Sequence, residues 1–273
     1  MTNLGNNLHK IEYHMPTFYG FGSSVIVQKM AFVFRNGNGT IVGRDPNGND
    51  IYYDVYPANA GLIAQFLAPE TTQLISSGDS LEFVIAATQK SDFKIYDNGT
   101  LVYQDSTKQD NFYLGSTVGG IHTVVLQADY GTTTVYDTAY YAVQGPLNVG
   151  VMPSGMEQGI NELNDTTVFF KLYAPFKNRV YCLSPLNDFL PDTINAMTRT
   201  PGGAWWFLEM SVPAGQAFTY QYMIDGDLRV ADPYSEQVLD PWNDGYISNA
   251  TYPNMPDYPL GKTTGIVSLY EML

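Results

Sequence analysis

The stretch FTYQYMIDGDLRVADPYSEQVLDPWND, Phe218–Asp244, decides the fold. Phe218, Tyr220, Tyr222 and Ile224 alternate with Thr219, Gln221 and Met223, the period of two that a half-buried strand shows. Asp225-Gly226-Asp227 then reverses the chain, and Leu228 to Ala231 returns as a second short strand. Asp232-Pro233 and Asp240-Pro241 each stop regular structure, because proline lacks an N–H and restricts the residue before it. The acids of this stretch read as turn makers, since Asp before Gly tolerates left-handed backbone and Asp before Pro opens a turn.

Working back along the chain, Thr167 to Pro175, Arg179 to Ser184, Asn195 to Arg199 and Trp205 to Val212 read as the strands that precede this hairpin. Gly145 to Asp165 carries Gly and Pro with little periodicity and reads as a linker. Before it, Ser80 to Thr88, Asp92 to Tyr96, Thr100 to Tyr103, Gly120 to Ala128 and Thr132 to Val143 are short strands with turns between them, the pattern of an immunoglobulin-like sandwich. In the first part, Leu8 to Tyr13, Lys29 to Arg35 and Asp50 to Tyr56 read as strands separated by the turns Asn36 to Gly39 and Asp45 to Asn49. The sequence thus predicts an all-β chain of tandem β-sandwich modules: a partial sandwich over 1–66, an Ig-like sandwich over 67–149 and a third β-sandwich over 150–273.

The chain has 273 residues, a formal charge of −14, 15% charged residues, 21 Tyr and 14 Phe. That charge repels phosphate backbones and anionic headgroups, so nucleic acid is excluded as a partner and a neutral ligand is favoured. Abundant aromatics suit both β-sheets and sugar-facing surfaces. No apolar run reaches the length of a membrane span, and Met1 to Lys10 lacks the apolar segment of an export signal. The opening on Asn3-Leu4-Gly5-Asn6-Asn7-Leu8, a strand and turn with no domain start before it, reads as a piece of a longer gene product.

The run "YxYxIDG…xxADPYS" resembles the end of the family 48 carbohydrate-binding, early-set module that precedes the barrel in α-amylases, pullulanases and glycogen branching enzymes. The longer form VADPYSEQVLDPWND…YP…YPLGKTTGIVS is similar, more narrowly, to the α-amylase family (glycoside hydrolase family 13) of Bacteroidetes-type bacteria. "TVFFKLYAP", the approach to Asn187-Asp188-Phe189 and "GGAWWFLEMSVPAGQAFTYQYMIDG" follow the early-set order. LGNNL…FYG…KMAFVFRNGNGT…GRDPNGNDIYYDVY is similar to the carbohydrate-binding region at the front of those amylases, without the earlier strands that carry tryptophans. Gly119 to Asp129 resembles the late strands of bacterial surface Ig-like modules.

The catalytic chemistry of that family is missing from this sequence. Paired carboxylates are sought first among Asp225, Asp227, Asp232 and Asp240, each of which has a turn to make. His9, His14 and His122 stand beside no aspartate, and no run of alternating strands and helices could build a barrel. Phosphate-binding loops, nucleophile elbows, zinc motifs and cysteine clusters are also absent. Cys182, in the apolar run Val180 to Leu183, reads as a small buried side chain, and His122 as a core or surface residue of its strand. Asp45-Pro46-Asn47-Gly48-Asn49-Asp50 spaces its oxygens like a calcium loop, but its glycine and the missing closing glutamate favour a hairpin turn. Asn-x-Thr at Asn38, Asn98, Asn164 and Asn249 carries little weight in a chain so rich in these residues. No cofactor and no metal is called for.

Sugar binding by aromatic platforms is the remaining chemistry, since a flat ring stacks on the apolar face of a sugar while nearby amides and carboxylates hold its hydroxyls. In Ala204 to Met210, the face of Trp206, Leu208 and Met210 is apolar and predicts core; Trp205 shares its face with Glu209 and points outward. The resemblance implies α-glucan contacts at Trp205 and at Phe189, which stands where the family carries a tryptophan after Asn187-Asp188. The candidate ligand set is therefore Trp205, Phe189, Asn187 and Glu209. The same exposed aromatics would equally serve to pack against a neighbouring domain. The resemblance implies the non-catalytic region of a secreted or surface α-amylase-type enzyme, with α-glucan and the barrel of the parent protein as partners. The tail through Trp242 would be the linker into that barrel. An alternative is a surface structural or adhesion protein whose tandem modules present a protein-binding face.

Overall fold

The computed structural model describes residues 2–5, 8–10, 14–20, 22, 27–44, 50–57 and 60–271. Among the described residues the fold is all-β apart from one short α-helix and three single-turn 3₁₀ helices, and the chain divides into two compact units, Met1–Ile63 and Ala64–Leu273.

In the first unit β1 (Thr2–Gly5) pairs antiparallel with β2 (Leu8–Lys10), helix α1 (Met15–Tyr19) follows, and β3 (Lys29–Phe32) pairs antiparallel with β4 (Ile51–Asp54). The helix was not expected; it opens with the Phe18 amide donating to the His14 carbonyl at 2.9 Å. The expected turn Asn36 to Gly39 is closed by the Gly39 amide on the Asn36 carbonyl at 2.9 Å. Phe32 packs its ring 6.2 Å from Phe34 and 5.7 Å from Tyr53, yet none of residues 27–44, 50–53, 55–57 and 60–63 is buried. Two-stranded sheets cover too little area to shield such a cluster from water. Residues 11–13 of the expected first strand and 45–49 of the calcium-like segment lie outside the described residues; Arg44 pairs with Asp50 beside the latter.

The second unit opens with an Ig-like sandwich. Its strands are β5 (Ala64–Ala68), β6 (Gln73–Ile75), β7 (Ser80–Asp97), β8 (Thr100–Gly115), β9 (Gly120–Tyr130) and β10 (Thr133–Val143), in the order β5-β7-β9-β10-β6 with β8 also on β7. β5 thus joins this sheet earlier than the expected boundary at 66/67. The two strands expected at 80–88 and 92–96 are one strand, β7, whose pairing with β8 shifts register between Ala86 and Ser91. Its first half pairs with β5 and its second half with β9, so β7 turns the corner of the sandwich. Asn98 (φ 47°) and Gly99 (φ 80°) close the β7–β8 hairpin in the left-handed conformation that a two-residue turn needs. Phe83, Ile85, Phe93, Ile95, Val124, Leu126 and Tyr141 fill the core. His122 is buried with them: Nε2 donates to the Val118 carbonyl at 3.0 Å, Nδ1 lies 2.9 Å from Asp97 Oδ1, and the ring stacks on Tyr141 at 4.6 Å.

The third module has two sheets. β11 (Gly159–Asn164), β12 (Thr167–Tyr173), β14 (Thr198–Arg199) and β15 (Trp205–Ser211) form one, in the order β11-β12-β15-β14. β13 (Val180–Leu183), β16 (Phe218–Ile224), β17 (Leu228–Val230), β18 (Gln237–Leu239) and β19 (Val267–Tyr270) form the other, in the order β13-β16-β19-β18 with β17 also on β16. Two expectations fail here. The expected linker 145–165 contains β11, an edge strand held by β12. The expected C-terminal linker contains β19, which pairs with both β16 and β18 and so belongs to the module's own sheet.

Between the sheets lie Val168, Phe170, Leu172, Cys182, Trp206, Tyr220 and Tyr222. Burial pushes the Cys182 thiol well up, as a structural cysteine requires. A second core lies on the far face of β13 and β16, where Tyr181, Leu183, Phe189, Met223, Leu239, Val267 and Leu269 pack with Met255 and Tyr258 of the tail and Leu74 of the Ig-like module. β16 is consequently buried on both faces, not on one. Gln221, expected to face water, sits beneath the tail: its amide donates to the carbonyls of Thr264 (2.9 Å) and Ile266 (2.8 Å), and its oxygen accepts from Thr263 Oγ1 at 2.8 Å.

Asp232 is likewise more than a turn maker. It is buried, and Oδ2 accepts from the Tyr220 and Tyr222 hydroxyls, each at 3.0 Å, while Oδ1 accepts from the Tyr234 amide at 2.9 Å. Burial, reinforced by the Asp232 charge, pushes both tyrosines up, so they stay protonated donors. Asp225 keeps its turn role (φ 52°, followed by Gly226 at φ 97°) and also accepts from the amides of Asn178 (2.7 Å) and Arg179 (3.0 Å).

The Ig-like and third modules meet through glycine. A Cβ on Gly119 would lie 2.6 Å from Gly145 Cα, and one on Gly145 would lie 2.9 Å from Thr193 Cγ2. Only side chains of a single hydrogen permit so close a backbone approach.

Candidate functional site

The outer face of the β11-β12-β15-β14 sheet is set by alternation. Val168, Phe170 and Leu172 of β12 and Trp206 of β15 point into the core, which turns Phe169, Lys171 and Tyr173 outward together with Trp205, Phe207 and Glu209. The register places Tyr173 opposite Trp205, Lys171 opposite Phe207 and Phe169 opposite Glu209. Tyr173 and Trp205 pack ring against ring at 4.8 Å and 58°. Lys171 Nζ stands 4.8 Å from the Trp205 ring centroid and donates to the Met156 carbonyl at 2.7 Å. Phe169 and Phe207 stack at 5.7 Å.

This face is covered in its middle, where Phe169 is buried, and exposed at Glu209 and at Tyr173. The incoming segment crosses the face at Phe207, where the Gly150 amide donates to the Arg199 carbonyl at 3.0 Å and a Cβ on Gly150 would lie 3.6 Å from Phe207 Cζ. Tyr173 is 53% exposed and Trp205 is half-buried. The Trp206 indole donates to the Ala174 carbonyl at 2.9 Å and the Ala174 amide to the Ala204 carbonyl at 3.0 Å, so the end of the ledge is fixed from behind. The loop that leaves it carries Phe176, 98% exposed at φ 64°. An aromatic residue in left-handed backbone is strained, and Asp225 clamps the loop just beyond it. Tyr173 and Trp205 thus form an aromatic end with Lys171 as a cationic neighbour.

The other expected ligand residues go elsewhere. Phe189 is 1% exposed and belongs to the core beneath the tail, on the opposite side of the sandwich from Trp205. Asp188 (φ 53°) and Phe189 (φ 57°) are both left-handed, and this double reversal carries the ring into the core as the Phe189 amide donates to the Ser184 carbonyl at 2.9 Å. Phe189 is therefore no platform, which corrects the expectation for it. Asn187 caps locally, its Oδ1 accepting from the Ser184 amide at 3.1 Å. Glu209 is exposed on the Trp205 face, but four residues along the strand put it about 13 Å away, beyond the Phe169–Phe207 stack. The structure adds Tyr173 and Lys171, which sequence reasoning missed; the alternation of "TVFFKLYAP" already placed both on one face.

Among the described residues no group of three or more His, Cys, Asp or Glu side chains is placed to hold a metal ion, and no helix is long and apolar enough to cross a membrane.

No protein-family profile matches the chain, and no curated protein matches it. Solved structures similar to parts of it include the fibronectin(III)-like modules of Clostridium thermocellum CbhA, at 16% identity over 30% of this chain and 96% of that one, with a TM-score of 0.27. The CARDB domain of the PF1109 protein from Pyrococcus furiosus, in complex with di-metal ions, matches at 14% identity over 34% of this chain and all of that one, TM-score 0.27. A pullulanase from Anoxybacillus sp. LM18-11, complexed with maltotriose, matches at 15% identity over 60% of this chain and 25% of that one, TM-score 0.24. Scores this low carry no argument about function; the fold class rests on the strand pairing above.

Proposed function

We propose that this chain is the non-catalytic, α-glucan-engaging and domain-positioning region of a secreted or surface α-amylase-type enzyme. The observation that carries the reading is the Tyr173–Trp205 pair, an outward-facing aromatic ledge at an open sheet end with Lys171 beside it. Such a surface stacks on sugar rings and donates to their hydroxyls. The net charge of −14 favours a neutral partner over an anionic one. Positioning of a catalytic barrel is assigned to the tail, where Asp240 accepts from the Trp242 amide at 2.9 Å and from Asn243 Nδ2 at 2.7 Å, and Trp242 and Tyr246 stand exposed. That rigid aromatic turn is also what favours the second reading, a surface adhesion protein whose modules face a protein partner.

Affinity electrophoresis in amylopectin gels tests the first reading. The wild type should be retarded and Trp205→Ala should migrate as in a gel without polysaccharide; equal mobility of the two proteins would overturn it. The second reading is separated by the gene beyond Leu273, where an alternating strand and helix barrel supports the amylase context and further Ig-like repeats support adhesion.

A further inference from the structure

The Ig-like sandwich carries an aromatic surface of its own, on the outer face of the sheet formed by β10, β9 and the second half of β7. β9 and β10 pair without interruption from Thr133 opposite Tyr130 to Val143 opposite Gly120, and β9 pairs with β7 from Asp92 opposite Asp129 to Asp97 opposite Val124. Phe93, Ile95, Val124, Leu126, Ala128, Ala139 and Tyr141 point into the core, so the alternate positions form the outer face. Reading across the strands, its rungs are Lys94, Gln127 and Tyr136, then Tyr96, Val125 and Thr138, then Thr123 and Tyr140.

Tyr136 is 65% exposed and Tyr140 41%, and Tyr96 is half-buried two strands away. Among the described residues none of the three rings stacks on another aromatic ring or lies under a cation. Strand geometry puts Tyr136 and Tyr140 about 13 Å apart along β10 and Tyr96 about 10 Å across the sheet. Thr123 and Thr138 lie between them. The charges of the face are drawn together at its edge: Asp129 accepts from Lys94 Nζ at 3.1 Å, from Gln127 Nε2 at 2.9 Å and from Thr134 Oγ1 at 2.6 Å, and Asp92 stands opposite Asp129, one rung beyond Lys94.

We propose that this face is a polysaccharide-binding surface, on which one extended neutral glycan chain lies along Tyr136 and Tyr140 with Tyr96 flanking it. Flat rings separated by hydroxyls and an amide match the alternating apolar faces and hydroxyl edges of a sugar chain. A stable protein partner would bury a charge-depleted apolar core, and the aliphatic side chains on the three rungs are few: Val125, and Leu101 opposite Tyr96 on the neighbouring strand β8. A polyanion is opposed by the net charge of −14. The site lies on a different module from Trp205 and does not require that ledge.

Affinity electrophoresis of the whole chain in amylopectin, galactomannan, hydroxyethyl cellulose and polygalacturonate gels tests the proposal. Retardation is expected in at least one neutral gel and not in polygalacturonate. In that neutral gel Tyr136→Ala/Tyr140→Ala should weaken apparent affinity at least about tenfold, with an unchanged circular dichroism spectrum, while Tyr136→Trp retains it. A double variant retarded like the wild type, or no retardation in any neutral gel, overturns the proposal. Loss of retardation in Trp205→Ala with none in the tyrosine variant overturns it too while leaving the Trp205 reading standing, and the reverse result does the opposite.

Discussion

Trp205 and Phe189 occupy opposite sides of the same sandwich: Trp205 on the outer face of the β12–β15 sheet, Phe189 in the core beneath the tail behind the β13–β16 sheet. One ligand cannot stack on both. Phe189 acts through stability, and Phe189→Ala should cost about 3–5 kcal/mol, as emptied aromatic core sites do. Chemical denaturation measures this; a loss below about 1 kcal/mol would place the ring outside the core.

The Asp232 carboxylate ties the segment after β17 to two tyrosines of one strand, β16. Asp232→Ala leaves the Tyr220 and Tyr222 hydroxyls without their acceptor, at about 1–3 kcal/mol for each buried donor. Asp232→Asn keeps one oxygen and should lose less. Equal losses in the two variants, read from urea midpoints, would show that the carboxylate's acceptors matter little.

At the junction of the two modules, a methyl group on Gly119 meets Gly145 Cα, backbone that no rotamer change can move. Gly119→Ala should cost on the order of 1–3 kcal/mol, in the range of overpacked cores, and should expose residues 144–158 to proteolysis. Unchanged melting and digestion would mean that the junction gives way without strain.

Alkali should attack the fold through its tyrosines. Burial, reinforced by Asp110, pushes Tyr103 up to about 12, and burial with Glu162 does the same for Tyr270, from an ordinary value of 10.0. Tyr220 and Tyr222 are raised further in the same direction, burial again being the main cause. Raised folded values mean that this stability is complete below pH 10 and is lost as pH rises through about 12. Ultraviolet titration should therefore show exposed tyrosines ionising first and a second group ionising with unfolding. A single reversible step near 10 for all 21 tyrosines would contradict this.

Local pattern carried much of the fold. Alternation in 204–210 sent Trp206 inward and Trp205 outward, and Asp225-Gly226 marked its hairpin. What alternation could not show was distant cover. Thr219, Gln221 and Met223 look like a mixed solvent face until residues 263–269 fold back over them, and Gln221 is polar because it satisfies the backbone of that irregular segment. β11 was hidden for a related reason: Asn161 and Glu162 have little strand preference, and the strand exists because β12 supplies its partner. At the site, Phe189 was misplaced because two left-handed residues in succession reverse a side chain without leaving a sequence signal as clear as glycine.

Calorimetric titration with maltoheptaose tests the central claim most directly. The account predicts saturable binding that weakens at least about tenfold, or about 1.4 kcal/mol, in Trp205→Ala and Tyr173→Ala and persists in Trp242→Ala. Wild-type heats indistinguishable from dilution, or isotherms unchanged in Trp205→Ala, would contradict it.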